Sequence, residues 1–324
     1  MAITLGGLPL RITITGPDLA ERLFRPFRHL EVSHSTVRAD AFIIEAWSQA
    51  ETGVAIPELG VEPVPYSPDG NLCYRRQPNG RAVADRRSRR ILAGFESAAG
   101  LSYSDLAKPF RSLLIPLLHD GGRQLIHGGM VIADPDTSGL LLAGRSGSGK
   151  STVALSALAA GFGFLGDDHL AISSEGGRLV AHSLYATCGI SAGHLANFPR
   201  LPGRVVSAPD RDKNVILLAP EENGRLIAAA PIGAVVMPVI VPGAETGFRR
   251  ASRGETLRAL IPGSISPRLP VLQDGRGWQF DGIGAIAARM PGYRLELGAD
   301  LASIPPVLRG LAAELAASRG GVAE

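Results

Sequence analysis

The chain has 324 residues, 45% hydrophobic and 19% charged, with a formal charge of +3, a composition that fits a globular protein with its own core and room for one large domain or two ordinary ones. So small a positive balance excludes a strongly basic nucleic-acid binder. The longest apolar run, 232–241, is interrupted by Pro238 and is far shorter than the ~20 residues of a membrane span.

At the N-terminus, Met1–Thr15 has no basic stretch followed by a long apolar run, so no signal peptide is expected and a cytoplasmic location follows. Leu10–Thr15 and Ala41–Ala46 are short apolar strands, 17–26 has helical spacing, and 102–118 repeats apolar residues at three and four and is expected to form one helix. Between them, Arg75, Arg76, Arg81, Arg86, Arg87, Arg89 and Arg90 form either a dock for an acidic partner or a solvated hairpin and helix start. Cys73 and Cys188 have neither disulfide-framework nor metal spacing and are expected to be buried thiols.

After Gly121-Gly122 the texture changes. Gln124–Ala133 is β-rich, 134–139 is a turn cluster, and Leu140–Ala143 is a strand expected to pair with the first as a hairpin. A helix from Lys150 to about Ala160, a strand ending at Gly166, and a hairpin of Leu170–Ser173 with Arg178–Ala181 come next. A long loop is expected over 183–209. Strands follow at Val215–Leu218, Ala234–Val241, Thr246–Arg250 and Tyr293–Leu297, and a helix over 304–317.

The chemistry centres on Gly144-Arg145-Ser146-Gly147-Ser148-Gly149-Lys150-Ser151, a full GxxxxGK[ST] match, with Thr152 continuing into the helix. Glycines let consecutive backbone N–H groups turn inward onto phosphate oxygens. The helix beginning at Lys150 adds its unpaired N–H groups and dipole. Lys150 suits the β- and γ-phosphates and Ser151 suits Mg²⁺. Seventeen residues on, Asp167 and Asp168 follow a strand, the position from which carboxylates face the nucleotide crevice of α/β sheets. One carboxylate can hold the metal and the other can take a proton from an attacking hydroxyl. The bland reading of the pair is a turn or helix cap. His127, on the strand expected to pair with the one that feeds the loop, is either a core histidine or a partner to a carboxylate at the γ-phosphate end. Arg211, Lys213, Arg249 and Arg250 are weaker candidates for phosphate contacts.

Ile126-His127-Gly128, the hairpin, Gly144–Thr152, the alanine-rich helix and Gly166-Asp167-Asp168-His169 together resemble the catalytic domain of HPr kinase/phosphorylase. They look closer still to the shorter HPr-kinase-like proteins that include lasso-peptide precursor kinases. The resemblance spans roughly 124–301 in layout, with its strong motifs in 126–169. It implies an ATP- and Mg²⁺-dependent kinase acting on a serine-type hydroxyl of a peptide or protein, on a nucleotide domain related to the phosphoenolpyruvate carboxykinase core. It also implies that His127 and Asp167 work as a pair at the acceptor, with Asp168 near the metal. The family's signature rich in Glu, Ile, Arg and Gly is absent, because 180–191 has no glutamate and no arginine. The reverse, phosphorylase activity and HPr itself are therefore not expected.

The fold expected is α/β (α+β) with a mixed sheet: a smaller N-terminal domain, 1–122, that recognises the acceptor, and an ATP-binding catalytic domain, 123–324. Neither a nucleic-acid nor a membrane partner is expected, and a homo-oligomer is compatible with the sequence. Two other readings stand beside the peptide kinase. One is a kinase of small hydroxyl compounds on the same scaffold. The other is a nucleotide-gated ATPase or switch, against which neither an LSGGQ-type nor an NKxD-type motif is found.

Overall fold

Alternating burial along Phe42–Ser48 marks it as the middle of a sheet with apolar side chains on one face. The computed structural model describes residues 1–36, 41–58, 66–134, 137–198, 203–207, 213–218, 225–264 and 275–320. Its first sheet runs β1 (Ala2–Leu5), β2 (Leu8–Thr15), β3 (Phe42–Ser48), β4 (Leu72–Gln77), β5 (Gly80–Asp85) and β6 (Arg90–Phe95), in the order β1-β2-β3-β6-β5-β4. β3 is parallel to β2 and β6, and the other pairs are antiparallel. Helix α1 (Pro17–Phe24) buries Leu19 and Leu23, one turn apart, and the short α2 (Gln49–Thr52) follows β3.

The single helix expected over 102–118 is two, α3 (Tyr103–Ala107) and α4 (Arg111–Asp120). Pro109 lacks an N–H and disfavours helical geometry at Lys108, whose φ and ψ are −146° and 65°. Phe110 then adopts a left-handed conformation, φ 59°, before α4 begins. The arginine-rich stretch forms β4, β5 and the start of β6, and contains no helix start. Ion pairs join Arg75 to Asp105, Arg81 to Glu58, Arg86 to Asp120, Arg87 to Asp69 and Arg90 to Glu45. Five of the seven arginines are thus neutralised within the chain. Cys73 and Cys188 are buried free thiols.

The second sheet is mixed, as expected. It is built from β7 (Gln124–Ile126), β8 (Gly128–Ile132), β9 (Gly139–Ala143), β10 (Gly163–Gly166), β11 (Leu170–Glu175) and β12 (Arg178–Ser183), with α5 (Lys150–Ala159) between β9 and β10. Next come β13 (Thr187–Ser191), α6 (Ala192–Leu195), β14 (Arg204–Ser207) and β15 (Lys213–Leu217), a separate antiparallel sheet ordered β13-β15-β14. It occupies much of the long loop expected over 183–209. β16 (Ala229–Ile240), β17 (Gly247–Ala251), α7 (Arg253–Leu260), α8 (Gly275–Arg289), β18 (Gly292–Leu297) and α9 (Ile304–Gly320) complete the chain.

The long β16 organises this sheet. It runs parallel to β9 and β18 and, near its start, antiparallel to β12. Leu140, Leu142 and Val236 pack in a core with α5 and α9, while Leu141, Ala143 and Val235 face a second core that includes Leu260, Ile283 and Ile286. Burial on both faces is what a parallel strand pair requires, and it explains the unbroken apolar runs of β9 and β16. The core of the first sheet crosses residue 122, taking in Leu125, Ala171, Leu184, Tyr185, Val215 and Leu217. Among the described residues, no helix is long and apolar enough to cross a membrane.

His29 joins the two regions: its Nε2 lies 2.6 Å from Ser183 Oγ, and its Nδ1 is buried without a partner. Burial lowers its pKa from 6.5 to about 4. The folded state therefore favours the neutral ring, and stability tied to it is present above pH 6.5 and lost as pH falls toward 4. Allowing for partial solvent access, we expect the native chain to lose roughly 1–2 kcal/mol more than His29→Asn between pH 7 and 4.5. Urea unfolding at the two pH values measures this; parallel losses would refute it.

Candidate active site

β9 delivers the chain to Gly144, and the loop that follows relies on backbone conformations suited to glycine, with φ 147° at Gly144, 81° at Gly147 and 104° at Gly149. Gly149 is the N-cap of α5 and carries no capping side chain. The first-turn N–H groups of α5 thus have no side-chain cap, the arrangement that receives an anion. Lys150 is buried, and its Nζ donates to the carbonyls of Gly144 (2.8 Å) and Arg145 (3.0 Å). Burial lowers its pKa, opposed by Asp167 and Asp168 and reinforced by Lys213. Arg145, Ser146 and Gly147 form the exposed tip, Ser151 and Thr152 are half-buried, and the buried Ser148 Oγ has no partner.

Opposite the loop, two strand breaks coincide. His127 bridges β7 and β8, and 167–169 bridge β10 and β11, while β11 pairs with β7 and β10 with β8. The two connections lie side by side, joined by the Gly128 N–H donating to the Asp168 carbonyl (3.0 Å). Gly129 permits this approach, because a Cβ there would stand 2.7 Å from the Gly166 carbonyl oxygen and 3.0 Å from Asp167 Cα.

The acid couple lies in the bend between β10 and β11, and its two side chains find different partners. Asp167 is buried: Oδ2 accepts from the Gly189 N–H (3.2 Å), the Ser151 hydroxyl lies near enough to favour its ionised form, and among the described residues Oδ1 has no hydrogen-bond partner. Burial and then Asp168 raise its pKa, against Gly189, Ser151 and Lys213. Asp168 turns the other way. His127 Nδ1 lies 2.9 Å from its Oδ1, and the Lys108 ammonium is paired with its Oδ2. Burial would raise the Asp168 pKa, but His127, His169 and Lys108 hold it well below the usual carboxylate range.

This geometry corrects two expectations. His127 pairs with Asp168, not with Asp167. The carboxylate beside Ser151, with an oxygen to spare for a metal, is Asp167 and not Asp168. The ligand atoms of His127, Asp168 and His169 do lie within 4.8 Å of one another, but an ammonium already stands against that carboxylate. A buried carboxylate oxygen without a partner, next to the loop serine, fits Mg²⁺ far better.

Two further residues come from the corner between α3 and α4. Beyond Lys108, Arg111 NH1 lies 3.1 Å from His169 Nε2. His169 is buried, and burial lowers its pKa to about 4, with Asp168 opposing. Pro109 was the one sequence signal that could have exposed this corner, by forbidding a continuous helix. Nothing in the sequence marked Gly189.

The weaker candidates separate. Lys213 reaches the couple: its Nζ would lie 3.2 Å from a Cβ at Gly189, and it stands 6.0 Å from the Tyr103 ring centre. Arg249 and Arg250 do not. They lie on β17, three strands from β9, where Arg249 faces Glu255 and Glu296 and Arg250 bonds to Tyr293 Oη (2.7 Å). Arg211 lies outside the described residues, as do Pro135 and Asp136 of the expected turn.

No protein-family model matches the chain, and no curated protein does. Among solved structures it is similar to the Hpr(Ser) kinase/phosphatase from Coxiella burnetii, at 12% identity over 59% of this chain and 98% of that one, with a TM-score of 0.33. A likeness so slight decides no function, which falls to the residues themselves.

Because Gly129 faces backbone atoms that cannot rotate away, we expect Gly129→Ala to lower stability by roughly 1–3 kcal/mol. Chemical denaturation is the measurement; a variant as stable as the native chain would show that the strand connections are not in tight register.

Proposed function

We propose that this protein is a phosphotransferase that moves the γ-phosphoryl group of ATP, with Mg²⁺, onto a serine-type hydroxyl of a peptide or protein. The observation that carries the reading is the buried Asp167 carboxylate, with one oxygen unpartnered, set against Ser151 at the head of an uncapped helix. Burial disfavours the ionised form of this carboxyl, and a bound cation would restore its charge and satisfy the free oxygen. Ser151 and Asp167 would hold Mg²⁺, which when bound supplies charge neutralisation to the polyphosphate. The loop N–H groups and Lys150 would grip the β- and γ-phosphates.

His127 is the base. An ionised carboxylate only accepts hydrogen bonds, so His127 donates from Nδ1 to Asp168, and Nε2 of the neutral ring is left to accept a proton. The acceptor oxygen bonds to the terminal phosphorus as the bond from that phosphorus to the bridging oxygen breaks. The hydroxyl proton passes to His127 Nε2 and ADP leaves. Asp168 orients the imidazole, as the third member of a nucleophile–base–orienter set does. Catalysis is then chiefly positioning and charge stabilisation. The motif resemblance favours a peptide acceptor of the lasso-precursor type, and the reach of Lys108 and Arg111 into the site supports a role for residues 1–122 in acceptor recognition.

Incubating the chain with Mg-ATP and panels of serine peptides and small hydroxyl compounds, while following ADP and phosphorylated product, tests this. We expect Asp167→Asn to lower transfer about 100-fold or more, and Lys150→Met to weaken nucleotide binding by about tenfold or more. Undiminished transfer by Asp167→Asn would overturn the assignment, and ADP formation with no phosphorylated acceptor in any panel would make the protein an ATPase instead.

A further inference from the structure

The corner between α3 and α4 is unusual in its construction. Phe110, a buried aromatic residue, holds φ 59°, a conformation that is an outlier for a bulky side chain. Backbone strain of this kind persists only where the surroundings enforce it. Here they do: Thr187 Oγ1 donates to the Ala107 carbonyl (2.7 Å) and Tyr185 Oη to the Pro109 carbonyl (3.0 Å), both buried. The corner is therefore clamped on each side of Lys108 by residues just past β12, and its two outward cations, Lys108 and Arg111, are delivered to Asp168 and His169.

What those cations do follows from donor and acceptor inventories. Arg111 can only donate, so His169 Nε2, 3.1 Å away, must accept. The proton of the neutral His169 ring then sits on Nδ1, which faces Asp168 Oδ2 at 3.4 Å without a hydrogen bond to it. Lys108 takes that oxygen. With Oδ2 taken by Lys108, Oδ1 is left to His127 Nδ1. The His127 ring is further enclosed by Gly263, where a Cβ would lie 2.7–2.9 Å from its ring and Cβ atoms, and its backbone N–H donates to Ser264 Oγ (2.9 Å).

We propose that Lys108 is a positioning residue of the catalytic centre: it locks the Asp168 carboxylate so that His127 keeps its proton on Nδ1 and presents Nε2 to the acceptor hydroxyl. This inference rests on the phosphotransfer reading for its kinetic consequence, but the locked imidazole is a property of the resting protein. It also gives the N-terminal region a part in the chemistry that no loop or acid motif marks.

The variants are Lys108→Met, which removes the ammonium at similar length, and Lys108→Arg, which restores a cation and guards against a merely unfolded variant. Long-range ¹H–¹⁵N spectra of the histidine rings should show His127 protonated on Nδ1 in the native chain and mixed tautomers in Lys108→Met, with Lys108→Arg returning toward the native pattern. In the transfer assay, Lys108→Met should lower kcat about 100-fold while KM for the nucleotide changes less than about twofold, and Lys108→Arg should recover at least about tenfold. If the native chain transfers no phosphate yet Lys108→Met scrambles the His127 tautomer, the positioning role stands and the phosphotransfer reading fails. An unchanged His127 tautomer in a folded Lys108→Met variant overturns the proposal. So does a loss appearing only as a higher KM for the acceptor, which would make Lys108 a substrate contact.

Discussion

A carboxylate cannot be taken out of water alone, and this protein buries Asp167 and half-buries its neighbour Asp168. The desolvation of even one ion is worth several kcal/mol before compensation, so the arrangement around residues 167 and 168 constrains everything near it. Asp168 is compensated by the Lys108 ammonium on one oxygen and the His127 ring on the other, with His169 at 3.4 Å. Asp167 is compensated only in part, by one backbone N–H and a serine hydroxyl, with Lys213 and Lys150 nearby. That asymmetry is the functional content of the site. The satisfied carboxylate is a fixed part of the protein, and the other is the one proposed to take a cation.

The same constraint explains why the sheet is broken where it is. A continuous strand would carry 167 and 168 into a ladder, with their backbone groups paired and their side chains on opposite faces of a packed layer. Interrupting both 126–128 and 166–170 at one level lets a pair of connections run side by side between strands. Each acid can then reach a different set of partners. The glycines at 128 and 129 are the steric condition for it, since a Cβ at either would strike main-chain oxygen. The broad, doubly buried β9–β16 pair supplies rigidity on one side, and α5 begins from it at a fixed height.

How much of this was legible in the sequence depends on how local the cause was. The phosphate loop, its helix and the strand ending at Gly166 are determined by residues in contact with one another along the chain, and they were read with nearly the observed bounds. The hairpin of β8 and β9 and the mixed character of the sheet followed from the same local patterning. The partnership within the acid couple was not local. The family resemblance implies a pair of His127 and Asp167, whereas the bend at 167 and 168 sets Asp168 against His127 and Asp167 beside Ser151. Lys108 and Gly189, 60 and 22 residues distant from their carboxylates, could be found only once the chain was folded. Arg249 and Arg250 failed for the converse reason. Their strand reads as well as any other, but their side chains are engaged on β17 and its neighbours, Arg249 with Glu255 and Glu296 and Arg250 with Tyr293.

The arginine-rich hairpin bears on where an acceptor would approach. A cluster of seven arginines in sixteen residues suggests an open basic surface, yet five of them already face acids of this chain. One of these pairs, Arg75 with the buried Asp105, closes onto the first turn of α3, where Asp105 also completes the Ser102 capping box. The charge of the hairpin is thereby used to seat the short helix that ends at Lys108. Basic residues that looked available for a partner instead anchor, through Asp105 and α3, the corner that places a cation against Asp168. The link between the N-terminal sheet and the chemistry is in this sense mechanical before it is recognitional: β4 holds α3, α3 ends in the clamped corner, and the corner sets the one ammonium on which the orientation of His127 depends.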